Sequence, residues 1–121
     1  DNETLVSWID TISKAEVQMV RDYLCDYHTP KKYLYKSLIA LVLRSPAKYS
    51  IIPMQDYLGL DNSARINKPS TVGQNWRWRI TQEQLNDALK TEMHEAARRY
   101  GRLNWDNEPE ETETTADKAE K

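Results

Sequence analysis

Apolar residues recur at helical intervals over three stretches of the chain. In the first, Ser13 stands three residues before Glu16, and Val17, Val20, Leu24 and Tyr27 follow at steps of three and four. That pattern predicts an amphipathic helix from about Lys14 to Asp26, opened by a capping box and broken by His28-Thr29-Pro30. Ahead of it, Leu5, Val6, Trp8 and Ile9 form an apolar cluster of one or two helical turns. In the second stretch, Leu34, Leu38, Ala40, Leu41 and Val42 predict a buried helix that stops near Arg44, because Ser45 precedes Pro46. In the third, Leu85, Ala88, Leu89, Met93, Ala96, Ala97 and Tyr100 share one face. There Thr81 with Gln84 reads as a capping box at the start, and Gly101 stands where a C-terminal cap belongs.

Between the last two helices the pattern changes. Tyr49-Ser50-Ile51-Ile52-Pro53-Met54 is short and β-prone, and reads as one strand ended by Pro53. Residues 64–75 carry Asn67, Pro69, Ser70, Gly73 and Asn75 with little periodicity, which predicts a long irregular loop, the kind of segment that tends to carry function. A single strand leaves its backbone groups without ladder partners. Helix, strand, loop and helix in that order are what the last repeat of a larger α/β protein supplies. The fold expected is therefore mainly α, about three helices and one short strand, as an incomplete domain over residues 1–105. The opening Asp1-Asn2-Glu3-Thr4, without an initiator Met, points the same way.

Composition adds a division to this picture. The chain has 121 residues, 39% hydrophobic and 30% charged. From Asp106 to Lys121 seven acidic residues face two lysines, a net of −5, while residues 1–105 carry +3. The 106–121 stretch has no large apolar residue and is expected to be a disordered acidic tail. No apolar run approaches the roughly 18 residues that span a bilayer, so a soluble protein is expected. Cys25 is the one cysteine and His28 and His94 stand far apart, so neither a disulfide framework nor a metal site is assigned.

Two kinds of chemistry can be read from the residues. In Gln74-Asn75-Trp76-Arg77-Trp78-Arg79-Ile80, an extended backbone places Trp76, Trp78 and Ile80 on one side and Arg77 and Arg79 on the other. Such a ribbon suits nucleic acid, with bases stacked on Trp and phosphates held by Arg, or a sugar lying on an aromatic ring. It equally suits a structural role, with Trp in the core and Arg paired. Retaining transfer at a sugar carbon needs two carboxylates about 5 to 5.5 Å apart, and Asp1, Glu3, Asp10 and Asp56 sit in no context that marks such a pair.

Three blocks carry a family resemblance: Pro53-Met54-Gln55-Asp56-Tyr57-Leu58-Gly59-Leu60, Ala64-Arg65-Ile66-Asn67-Lys68-Pro69-Ser70-Thr71, and Gly73-Gln74-Asn75-Trp76-Arg77-Trp78-Arg79. In order and spacing, with the opening Asp1-Asn2-Glu3-Thr4, they resemble the C-terminal part of the 4-alpha-glucanotransferases, the amylomaltases or disproportionating enzymes of glycoside hydrolase family 77. The likeness runs over about residues 1–103. It implies a cytoplasmic (β/α)₈ barrel enzyme that needs no cofactor and passes segments of α-1,4-glucans between maltooligosaccharides by a retaining mechanism, with its site at the C-terminal ends of the strands.

By the same resemblance, Asp1 takes the place of the third catalytic carboxylate, the transition-state stabiliser. Asn67 becomes a substrate contact below the donor sugar, and the residues from Asn75 to Arg79 mainly brace that loop. The family's nucleophile and acid/base lie on earlier strands, about six of the eight strands being upstream, so these residues alone are expected to be inactive. Ser70 and Gln74 stand where the family commonly has Gly, which leaves the turn there open. The rival class is a small helical nucleic-acid-binding module built on Trp76, Arg77, Trp78 and Arg79.

Overall fold

The computed structural model describes residues 1–104 and Asp106. The expectation of a disordered tail over 106–121 lies, Asp106 apart, outside these residues. Among the described residues five α-helices follow one another: α1 (Leu5–Thr11), α2 (Lys14–Leu24), α3 (Leu34–Leu43), α4 (Met54–Tyr57) and α5 (Asp87–Arg99). Single 3₁₀ turns at Lys31–Tyr33 and Asn62–Ala64 lead into α3 and out of α4. No helix among the described residues is long and apolar enough to cross a membrane.

Local chemistry explains most of the boundaries. At α2 the Ser13 N–H donates to Glu16 Oε2 at 2.7 Å and the Glu16 N–H to Ser13 Oγ at 3.2 Å, the reciprocal box read from the sequence. The helix ends two residues earlier than expected, because Cys25 turns left-handed (φ 51°) and Asp26 leaves the helix. The Asp26 carboxylate then accepts from the Thr29 N–H and hydroxyl and from the Ser37 hydroxyl, which holds its carboxyl far below the usual range. The far end of α5 is closed by Gly101 at φ 69°. There Arg102 N–H bonds Ala97 C=O at 2.8 Å and Gly101 N–H bonds Arg98 C=O at 3.2 Å.

Helix α3 is the centre of the fold and touches α1, α2, α4 and α5. Its Leu34, Tyr35, Ile39 and Leu43 are buried together with Ile9 of α1 and Leu24 of α2. Val17 and Val20 of α2, Ile52, Tyr57 and Ala96 pack around them. Gly59 turns the chain back beneath Tyr35 with φ 64°, and a Cβ there would lie 2.6 Å from the Tyr35 hydroxyl. Only glycine allows this approach.

Three expectations need correction. Residues 49–53 form no strand, and the described residues contain none. Tyr49 and Ile51 stand exposed, no neighbouring strand offers ladder partners, and Pro53 serves as the N-cap of α4. Five helices among the described residues stand in place of about three: the turns read at Leu5 form α1 as expected, and Met54–Tyr57, read at Met54 as the end of a strand, is helical instead. The last helix also begins later than Thr81. The Thr81–Gln84 box exists, with Thr81 N–H on Gln84 Oε1 at 2.9 Å, but it closes an isolated turn. Extended Asn86 interrupts it and caps α5 itself, accepting the Leu89 N–H at 2.9 Å.

Candidate functional site

Asp1 and Asn67, 66 positions apart, meet: the Asn67 side-chain amide donates to the Asp1 carboxylate. Arg65 joins them, its Nη2 donating to the Asp1 main-chain oxygen and its Nε to the Asn67 main-chain oxygen at 2.9 Å. An adjoining cavity of about 610 Å³ is lined by Asp1, Thr4, Trp8, Gln55, Asp56 and Arg65 among others. Asn67 is not in this lining; it reaches the cavity through Asp1. An open cleft lined by a carboxylate and a guanidinium, with an amide bonded to that carboxylate from behind the lining, can hold a polyhydroxylated ligand by hydrogen bonds.

The opening residues are fastened to the segment after Pro53 by polar contacts. Thr4, 4% exposed, caps α1 through its hydroxyl, which accepts the Ser7 N–H at 3.4 Å. Its own N–H donates to Asn62 Oδ1 at 3.2 Å, and the next N–H, of Leu5, donates to Asp56 Oδ1 at 2.8 Å. Asn62 gives its amide to Glu3 Oε1 at 3.0 Å and its backbone N–H to Ser7 Oγ at 2.8 Å. Beside it, Gln55 Nε2 bonds Ala64 C=O at 3.1 Å inside the fold. Asp56 is buried, and burial raises its carboxyl pKa against the lowering effect of the Leu5 N–H. Sequence reasoning missed Asp56, Asn62 and Arg65. The first and last lie inside the blocks that carry the family resemblance, which was the signal available.

The Trp and Arg residues do not form the alternating ribbon of an extended strand. Trp76 is left-handed (φ 64°) and its N–H donates to Ile66 C=O at 2.7 Å, which curls the segment back toward Asn67. Arg79 Nη1 donates to Trp76 C=O at 3.1 Å and Trp78 C=O at 2.8 Å. Asn75 accepts the Lys68 N–H at 2.9 Å and donates to Thr71 C=O at 2.9 Å. Asn75 and Arg79 therefore brace the loop, while Trp76 stays 67% exposed. Ser70 is left-handed as well (φ 62°), a conformation glycine enters freely.

This arrangement falls into a known structural class. It superposes on the amylomaltase of Streptococcus agalactiae, solved in complex with acarbose, with a TM-score of 0.78 and 27% identity over 86% of this chain and 21% of that one. Residues 1–86 match the family profile described as 4-alpha-glucanotransferase, and the chain belongs to that family, glycoside hydrolase family 77. Among its relatives, the chloroplastic/amyloplastic 4-alpha-glucanotransferase of rice, Oryza sativa subsp. japonica, is 39% identical over 85% of this chain and 18% of its own length. The 4-alpha-glucanotransferase of Synechocystis is 38% identical over 84% of this chain and 20% of its own length. The chain thus spans about a fifth of the length of the curated relatives it matches. Neither the curled backbone nor the family supports the nucleic-acid reading of Trp76 to Arg79.

Proposed function

We propose that this chain supplies one wall of the active site of a 4-alpha-glucanotransferase, a cytoplasmic (β/α)₈ barrel enzyme that moves α-1,4-glucan segments between maltooligosaccharides with retention. Asp1 is the carboxylate that binds ring hydroxyls of the donor sugar and stabilises positive charge developing at its anomeric carbon. Asn67 holds that carboxylate and contacts the same sugar. The observation that carries this reading is the meeting of Asp1 with Asn67 beside an open cleft, in a chain of this family. The acarbose bound to the similar amylomaltase supports a sugar as the ligand.

Retaining transfer also needs a nucleophile and an acid/base. Both come from other parts of the polypeptide, so the 121 residues alone convert no maltotriose. The test is a chimera: the S. agalactiae amylomaltase with its matching segment replaced by this chain. It should turn maltotriose into glucose and longer maltodextrins, and Asp1→Asn should lower kcat by about 100-fold or more, the scale of one lost transition-state contact. A folded chimera in which Asp1→Asn keeps full activity would refute the role of Asp1.

A further inference from the structure

Asp56 is a buried carboxylate that the proposed chemistry does not use. Burial raises its pKa, so its ionised form weakens the fold: the stability tied to this group is fully present below the ordinary pKa of 3.8 and is lost as pH rises through the raised value. A group kept at such a cost is a candidate for a functional role. Its partner is informative. Asp56 Oδ1 takes the N–H of Leu5, four residues after Asp1, and Asn62 takes the N–H of Thr4 immediately before it.

Two consecutive N–H groups are thus fixed from one side while Arg65 holds the Asp1 main-chain oxygen from the other. The backbone between Asp1 and Leu5 has little freedom left, which sets where the Asp1 carboxylate starts from, and the Asn67 amide then holds it.

Resting on the proposed role of Asp1, we infer that Asp56 is a positioning residue: through its hydrogen bond to the Leu5 N–H, with Asn62 on the Thr4 N–H, it aims the Asp1 carboxylate at the bound sugar. Asp56 acts through acceptor geometry, so an amide oxygen in the same place suffices. Without an acceptor the Leu5 N–H is released and the opening residues swing. A displacement of about 1 Å at a catalytic group costs up to about 100-fold in rate.

In the chimera, Asp56→Ala should lower kcat, counted per folded molecule by circular dichroism, by about 10- to 100-fold with KM changed less than about threefold. Asp56→Asn should restore kcat to within about threefold of the parent, because it keeps an acceptor for the Leu5 N–H. A merely structural residue changes the folded fraction and leaves kcat per folded molecule alone, and that result for Asp56→Ala overturns the inference. So does an Asp56→Asn variant as slow as Asp56→Ala. If Asp1→Asn is inactive while Asp56→Ala is fully active, positioning by Asp56 fails alone; if Asp1→Asn is fully active, the role of Asp1 fails and this inference with it.

Discussion

Helix α3 buries four of its ten residues, whereas the segment from Arg65 to Asn86 buries none of its twenty-two. The first region is held by apolar contact around Leu34, the second by side chains bonded to its own backbone, as Asn75 does to Lys68 and Thr71. Apolar burial is additive and non-directional, so it fixes where the helices stand. Hydrogen bonds in water contribute only about 0.5–1.5 kcal/mol each, but they are directional, so they fix the shape of a loop that has no core. Asp1 lies where the two meet: α1 carries it on the helical side, and Arg65 and Asn67 reach it from the loop.

The sharpest way to break this contrast is to remove the centre of the core. Leu34 is fully buried, and Leu34→Ala should destabilise the chain by about 2–5 kcal/mol, the loss of transfer energy plus a cavity. Urea unfolding reads this as a lower midpoint at unchanged slope. A cost below about 1 kcal/mol would show that the helices are not held by this cluster.

Gly59→Ala probes the seam, because Gly59 closes the turn between α4 and the second 3₁₀ turn against Tyr35 of the core. The added methyl meets the Tyr35 ring and hydroxyl at 2.6–2.7 Å while the backbone stays left-handed. Overpacking adds about 1–3 kcal/mol to roughly 1–2 kcal/mol for the left-handed alanine. The same unfolding measurement should therefore place it near Leu34→Ala. Should the variant unfold like the parent, Tyr35 moves freely and the seam is looser than the geometry shows.

The helical region was largely readable from the sequence, for reasons the same contrast supplies. Ser13 with Glu16, Ser45 before Pro46, and Gly101 after the two arginines are local signals, and each fixes the helix end it marks. Local signals misled where a stronger neighbour intervened. The box at Thr81 is real, yet Asn86 captures the start of α5 with its own side chain. The strand at residues 49–54 failed because strand pairing is a property of two segments, and β-prone composition in one of them supplies no partner.

At the site, Asp1 and Asn67 came from family likeness, not from spacing, which gives no clue that residues 66 positions apart touch. Spacing hides the roles of Asp56 and Asn62 for the same reason, although Asp56 lies inside a block that carries the likeness. Their bonds to Leu5 and Thr4 cross 51 and 58 positions, and nothing local distinguishes a buried Asp from a solvated one.

Ser70 offers the finest test, since it asks whether the loop's shape is set by its hydrogen bonds or by its backbone preferences. At φ 62° its Cβ crowds the following carbonyl, and the left-handed region costs a non-glycine residue roughly 1–2 kcal/mol. The hydrogen bonds on either side, Thr71 Oγ1 to Lys68 C=O at 2.6 Å and Asn75 to Lys68 and Thr71, hold the turn against that cost. Ser70→Gly removes the crowding but frees the unfolded chain, which returns about 0.5–1 kcal/mol. The net expectation is a stabilisation of about 0.5–1 kcal/mol, or an increase of a few degrees in Tm. In a region with no buried side chain that gain should appear first as slower amide hydrogen exchange at Lys68 and Trp76, with little change in the slowest core amides. Faster exchange at these two amides would mean that the serine side chain, rather than the hydrogen bonds of Thr71 and Asn75, keeps the loop folded over Asn67.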